Sequence, residues 1–147
     1  MHYIERLNIL LEILTNVNWC IIMKLKENLY SLDDVKGRAD LESKIESHMP
    51  KVDMPDEITI GQPFNINIYV SPHPNTLNHS IRRIEVYFIE KGRRFNPILI
   101  ASIDLTPTYI EPELTLKIKL DKPGILSVVS YCNLHGLWVY EKEVKVK

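Results

Sequence analysis

From Pro50 to the C-terminus, apolar and polar residues alternate in short runs. Phe64, Ile66, Ile68 and Val70 are interleaved with Asn65, Asn67 and Tyr69, and Leu114, Leu116, Ile118 and Leu120 with Lys117 and Lys119. A period of two buries one face of a strand and wets the other. Ile84, Val86 and Phe88 repeat the pattern, Ile98–Ala101 and Ile125–Tyr131 are continuous apolar runs, and Trp138–Val146 forms a last strand. Pro, Gly, Asn and Asp punctuate the runs, and no helical period falls among them. This predicts an all-β domain, an antiparallel β-sandwich or barrel of immunoglobulin-like type with about seven strands.

The first residues are patterned differently. Ile4, Leu7, Leu11 and Leu14, then Val17 and Ile21, follow helical spacing, while Glu5, Asn8, Glu12 and Asn16 take the other side. This predicts an amphipathic helix. A membrane span needs ~20 nearly uninterrupted apolar residues, and Glu12 and the asparagines interrupt this stretch. It has neither the basic start nor the small-residue cleavage site of a secretory signal. Met23 offers a second start of translation, because Lys24 onward reads as the polar beginning of a chain. Residues Lys24 to Ser47 are polar, with Ser31-x-x-Asp34 as a helix N-cap signature and Leu41–Ile45 as a short helical patch. The chain thus divides into an N-terminal extension, 1–45, and a β domain, 46–147.

Composition narrows the function classes. A chain of 147 residues, 45% hydrophobic and 25% charged, makes one globular domain with an extension. Eighteen Lys and Arg against nineteen Asp and Glu give a net charge of -1, so the strong positive field that nucleic acid or an anionic membrane demands is absent. Without a targeting signal, a cytoplasmic location is expected. Cys20 and Cys132 are the only cysteines, too few for a disulfide scaffold or a four-thiolate metal site.

The candidate chemistry lies in the loops of the β domain. His48 stands in Glu46-Ser47-His48-Met49-Pro50, His73 and His79 bracket His73-Pro74-Asn75-Thr76-Leu77-Asn78-His79, and Cys132-Asn133-Leu134-His135-Gly136 holds a Cys-x-x-His pair. A lone histidine is usually an ordinary surface or core residue. Imidazoles together with a thiolate on loops of one small domain point to a transition metal, not calcium or magnesium. Structural zinc is four-coordinate, whereas four histidines and one cysteine offer a ligand more. The surplus points to iron, with an open position that suits a small anion.

Three segments then carry a resemblance. Glu46-Ser47-His48-Met49-Pro50, His73-Pro74-Asn75-Thr76-Leu77-Asn78-His79-Ser80-Ile81 and Ser130-Tyr131-Cys132-Asn133-Leu134-His135-Gly136-Leu137-Trp138 resemble, in order and internal spacing, the iron-binding motifs of superoxide reductases, the neelaredoxin and desulfoferrodoxin group. The resemblance runs from about Glu46 to the C-terminus. It implies an immunoglobulin-like barrel holding one mononuclear iron, with His48, His73, His79 and His135 as equatorial ligands and Cys132 as the axial thiolate. It implies Glu46 as the carboxylate that binds the sixth position of the oxidised iron. The implied reaction is one-electron reduction of superoxide to hydrogen peroxide, with a rubredoxin-like donor restoring the iron. Relatives of the one-iron branch often form tetramers, so the resemblance also implies a homo-oligomer.

The chain departs from the group's pattern at Ser47, where relatives commonly carry lysine; Lys44 and Lys51 are the nearby candidates to supply that charge. With only Cys20 outside the motifs, the chain lacks the cysteines for a second, four-cysteine iron centre and resembles the one-iron, neelaredoxin-like branch. Backbone N–H groups of Asn133, Leu134 and Gly136 are candidate donors to the sulfur, and Trp138 is expected to be a core residue. The competing reading is a non-catalytic immunoglobulin-like module whose histidines and cysteine hold structural zinc.

Overall fold

The computed structural model describes residues 25–147; the helix expected before Met23, with His2 and Cys20, lies outside them. The described strands are β1 (Leu29–Tyr30), β2 (Lys51–Asp53), β3 (Glu57–Ile58), β4 (Phe64–Tyr69), β5 (Ile81–Glu90), β6 (Ile98–Asp104), β7 (Glu113–Ile118), β8 (Gly124–Cys132) and β9 (Gly136–Val146). They form two sheets, one ordered β1-β9-β8-β5-β6 with β3 also on β9, the other β2-β4-β7. This is the expected immunoglobulin-like β-sandwich. Each predicted run is a strand. The unpredicted ones, β1, β2 and β3, span two or three residues each, too few to show a period.

The alternation does what its spacing requires. In β4, Ile66 and Ile68 are buried and Asn65, Asn67 and Tyr69 exposed. They meet Ile84, Val86 and Phe88 of β5 and Leu126 and Val128 of β8 in the main core, where full burial of each large side chain is worth ~1.5–3 kcal/mol. The continuous run in β8 has its own cause. That strand lies between β5 and β9, and Leu126 to Ser130 are buried throughout.

The polar segment from Leu32 into the first residues of the β domain folds into three single-turn helices, α1 (Leu32–Val35), α2 (Ala39–Glu42) and α3 (Ile45–His48). Ser31 and Asp34 form the expected capping box on α1, each side chain accepting the other's backbone N–H. The Ser31 hydroxyl, which donates to the Asp34 carboxylate, and then the Ser31 N–H hold that carboxyl below its ordinary pKa. Helices this short are not stable alone. Val35, Leu41 and Met49 gather around fully buried Trp138 of β9 in a second core, and β1 pairs with Leu137 and Trp138. That packing brings the end of α3 to the end of the sheet where β8 turns into β9. Among the described residues, no helix is long and apolar enough to cross a membrane.

Candidate metal centre

Three stretches of chain converge at this end. His48 is the last residue of α3, and Met49, preceding Pro50, is extended with ψ 125° because a residue before proline is driven out of the helical region. Proline thus stops the helix where its imidazole is needed. Buried Ser130 donates a 2.7 Å hydrogen bond to the His48 carbonyl, and the Trp138 ring lies 5.3 Å from the imidazole.

His73 and His79 lie in the β4–β5 connection. The His79 end is a tight turn, with the Thr76 N–H donating to His79 O at 2.9 Å and the His79 N–H to Thr76 Oγ1 at 3.0 Å. Asn75 braces the His73 end by donating to Ile110 O and accepting from the Thr108 N–H. Cys132 ends β8 and pairs with Gly136, the first residue of β9, leaving Asn133, Leu134 and His135 as the loop. Gly136 has φ +78°, the left-handed conformation that closes three-residue hairpin loops and that glycine adopts without strain.

Asn133 joins the two loops. Its Oδ1 accepts from the Ser80 N–H at 2.9 Å and its Nδ2 donates to Asn78 O at 2.8 Å. Its own N–H donates to Ser80 O and is therefore not turned to the sulfur as expected. Ser130 and the side chains of Asn75 and Asn133 were not legible as site residues. The one signal available was the placing of the two asparagines inside the ligand motifs.

One ligand atom from each of His48, His73, His79 and Cys132 can be chosen so that all lie within 4.8 Å of one another. His135 joins them, its Nδ1 3.0 Å from His48 Nε2 and 3.7 Å from Cys132 Sγ. The donor set fits a transition metal. His48 Nδ1 faces Lys44 O at 3.1 Å and His73 Nδ1 faces Pro74 O at 2.6 Å. A carbonyl only accepts, so both rings carry their proton on Nδ1 and offer bare Nε2 lone pairs to each other across 3.3 Å. Lone pairs at that distance repel unless a cation lies between them. His79 Nε2 is likewise buried with no hydrogen-bond partner, an orphan that a metal would satisfy.

Burial and neighbouring imidazoles keep His48, His73 and His135 neutral. Burial, then the neighbouring His73, pushes the His48 pKa down to about 4. Burial also lowers those of His73 and His135. Neutral imidazoles are the form that binds metal. Cys132 and His48 are buried while His73, His79 and His135 are half-exposed, so solvent reaches the cluster from the imidazole side. The adjacent cleft of about 470 Å³ is lined by His73, Glu111 and Glu113.

Of the two candidate lysines, Lys51 donates to Ser71 O at 2.6 Å beside the Tyr69 ring. Lys44, held by Asp40 O, is the one whose charge acts on His135, where it adds to the lowering by burial and by His79. Glu46 is exposed on α3 and has no hydrogen bond or ion pair among the described residues.

The desulfoferrodoxin family profile matches residues 40–141. The chain is 37% identical over 129 residues to the superoxide reductase of Pyrococcus horikoshii, covering 84% of this chain and 99% of that one. It is 31% identical over 119 residues to neelaredoxin of Megalodesulfovibrio gigas, covering 71% and 91%. A solved superoxide reductase (neelaredoxin) from Ignicoccus hospitalis superposes with a TM-score of 0.78 at 46% identity, over 85% of this chain and all of that one. This chain belongs to the desulfoferrodoxin family.

Proposed function

We propose that this protein is a superoxide reductase. It takes one electron and two protons to superoxide and releases hydrogen peroxide, without evolving dioxygen. The observation that carries the proposal is the convergence of the histidine nitrogens on the Cys132 thiol, with His79 Nε2 orphaned in their midst. The relatives it matches along most of its length bear the name superoxide reductase. The ligand-bearing unit is residues 46–147, with the preceding short helices packed on its Trp138 side.

In this reading His48, His73, His79, His135 and Cys132 hold one iron, which when bound supplies the electron by cycling between ferrous and ferric. The protein's residues set the conditions. Four neutral imidazoles and one thiolate leave a ferrous site with net charge +1, attractive to a small anion, and Lys44 adds positive charge on the His135 side. The half-exposed imidazole rim admits superoxide while burial keeps the Cys132 sulfur from direct attack. A thiolate ligand pushes electron density toward the metal. Glu46, exposed two residues before His48, supplies the carboxylate that caps the oxidised site and restores its charge to +1. A rubredoxin-like one-electron donor returns the electron, and the working form is a homo-oligomer.

Metal quantification with a visible spectrum before and after oxidation tests the ligand assignment. About one iron per chain and a band that grows on oxidation are expected for an iron–thiolate site. Zinc alone, with no visible band, overturns the proposal in favour of a structural site.

A further inference from the structure

We infer that Ser47 is a positioning residue for the metal, its hydroxyl holding the Nδ1 proton of His48 so that this ligand can present only Nε2 to the cluster. The inference rests on the reading that His48 ligates a metal. Ser47 Oγ lies 2.7 Å from His48 Nδ1 and 3.3 Å from Lys44 O. The carbonyl is an acceptor, so the hydroxyl proton goes to it and the hydroxyl lone pair receives the Nδ1 proton. The result is a directed chain, His48 Nδ1–H to Ser47 Oγ–H to Lys44 O, in which each bond polarises the next.

The opposite tautomer turns a bare Nδ1 toward the Lys44 carbonyl. It also places an N–H, which cannot bind a metal, where a lone pair must face the space between His73 Nε2 and His135 Nδ1, 3.3 and 3.0 Å away. Lys44 O does not make Ser47 redundant. That carbonyl already accepts the His48 backbone N–H at 3.0 Å, and its contact with Nδ1, 3.1 Å, is the longer of the two. Hydrogen bonds to the outer nitrogen of a metal-binding histidine fix its orientation and raise the basicity of the ligating one. A lysine at this position, which relatives commonly carry, has donors only and cannot take up an Nδ1 proton. Serine there exchanges a mobile charge for an acceptor built into α3.

The test uses the full chain loaded with zinc, a diamagnetic probe that reports the site independently of superoxide chemistry. Wild type, Ser47→Ala and Ser47→Thr are compared for solvent exchange of the His48 Nδ1 proton by NMR, for zinc affinity by chelator competition, and for metal-free melting. In Ser47→Ala, Nδ1 exchange is expected to speed up and zinc affinity to fall about tenfold, the low end for loss of such a partner because Lys44 O remains. Metal-free melting is expected to hold or rise, since alanine is the better helix former. Ser47→Thr is expected to restore both exchange and affinity. Unchanged exchange and affinity in Ser47→Ala overturn the inference, as does a loss of affinity matched by a loss of metal-free stability, or a threonine variant that melts normally yet behaves like alanine. A wild-type protein that binds neither zinc nor iron overturns the metal-site reading itself, and this inference with it.

Discussion

The β8–β9 turn and the β4–β5 connection each bring two candidate ligands to one cluster, by different means. In the turn, Cys132 is the end of a strand, Gly136 the start of the next, and sheet pairing between them fixes where Cys132 and His135 stand. In the connection no ladder reaches His73 or His79. Side-chain amides do that work, Asn75 tying the loop to residues 108–110 and Asn133 tying it to the turn. Backbone register sets Cys132, with the Trp138 indole N–H on His135 O steadying the turn, while the second pair of candidate ligands depends on single side chains that substitution can remove.

The largest effect is expected from Cys132→Ser, on the sheet-held side. It should abolish the thiolate-to-metal absorption and cost more metal affinity than the ~10–100-fold typical of losing an outer hydrogen-bond partner; survival of the band places the thiolate elsewhere. Trp138→Ala should lower unfolding free energy by ~3–5 kcal/mol. It empties the second core and removes the indole N–H that donates to His135 O at 3.0 Å, so denaturant melts should show the loss in metal-free protein too.

On the loop side, Asn133→Ala removes both side-chain bonds of the clasp, ~1–3 kcal/mol together. Metal affinity should drop while the Cys132 absorption band persists, because His79 is loosened and the turn is not. Asn75→Ala should cost ~0.5–1.5 kcal/mol, since its partners lie in exposed chain, with a smaller drop in affinity. Calorimetry and metal titration of the two variants give the order, and an Asn75 effect larger than that of Asn133 would break the contrast.

Much of this was legible in sequence wherever a residue's role follows from near neighbours. The long strands showed through a period of two, and the residues of the cluster through motifs a few residues long. The capping box of Ser31 and Asp34 spans one turn and was equally readable. What escaped depended on distance along the chain. Ser130 reaches His48 O across 82 residues and Asn133 reaches Asn78 across 55, and no local pattern announces such partners. The polar stretch before residue 46 carried helix signals, but nothing in it showed that Val35 and Leu41 would cover Trp138. That contact is what brings the end of α3 to the cluster.

Reduction of superoxide differs from its dismutation in stoichiometry. Pre-reduced, iron-loaded protein is mixed with superoxide, and dioxygen and hydrogen peroxide are quantified against superoxide consumed, after correction for the uncatalysed reaction. Hydrogen peroxide equimolar with superoxide, and no dioxygen, is expected. Dioxygen appearing at half the superoxide consumed would contradict the proposed reductase activity.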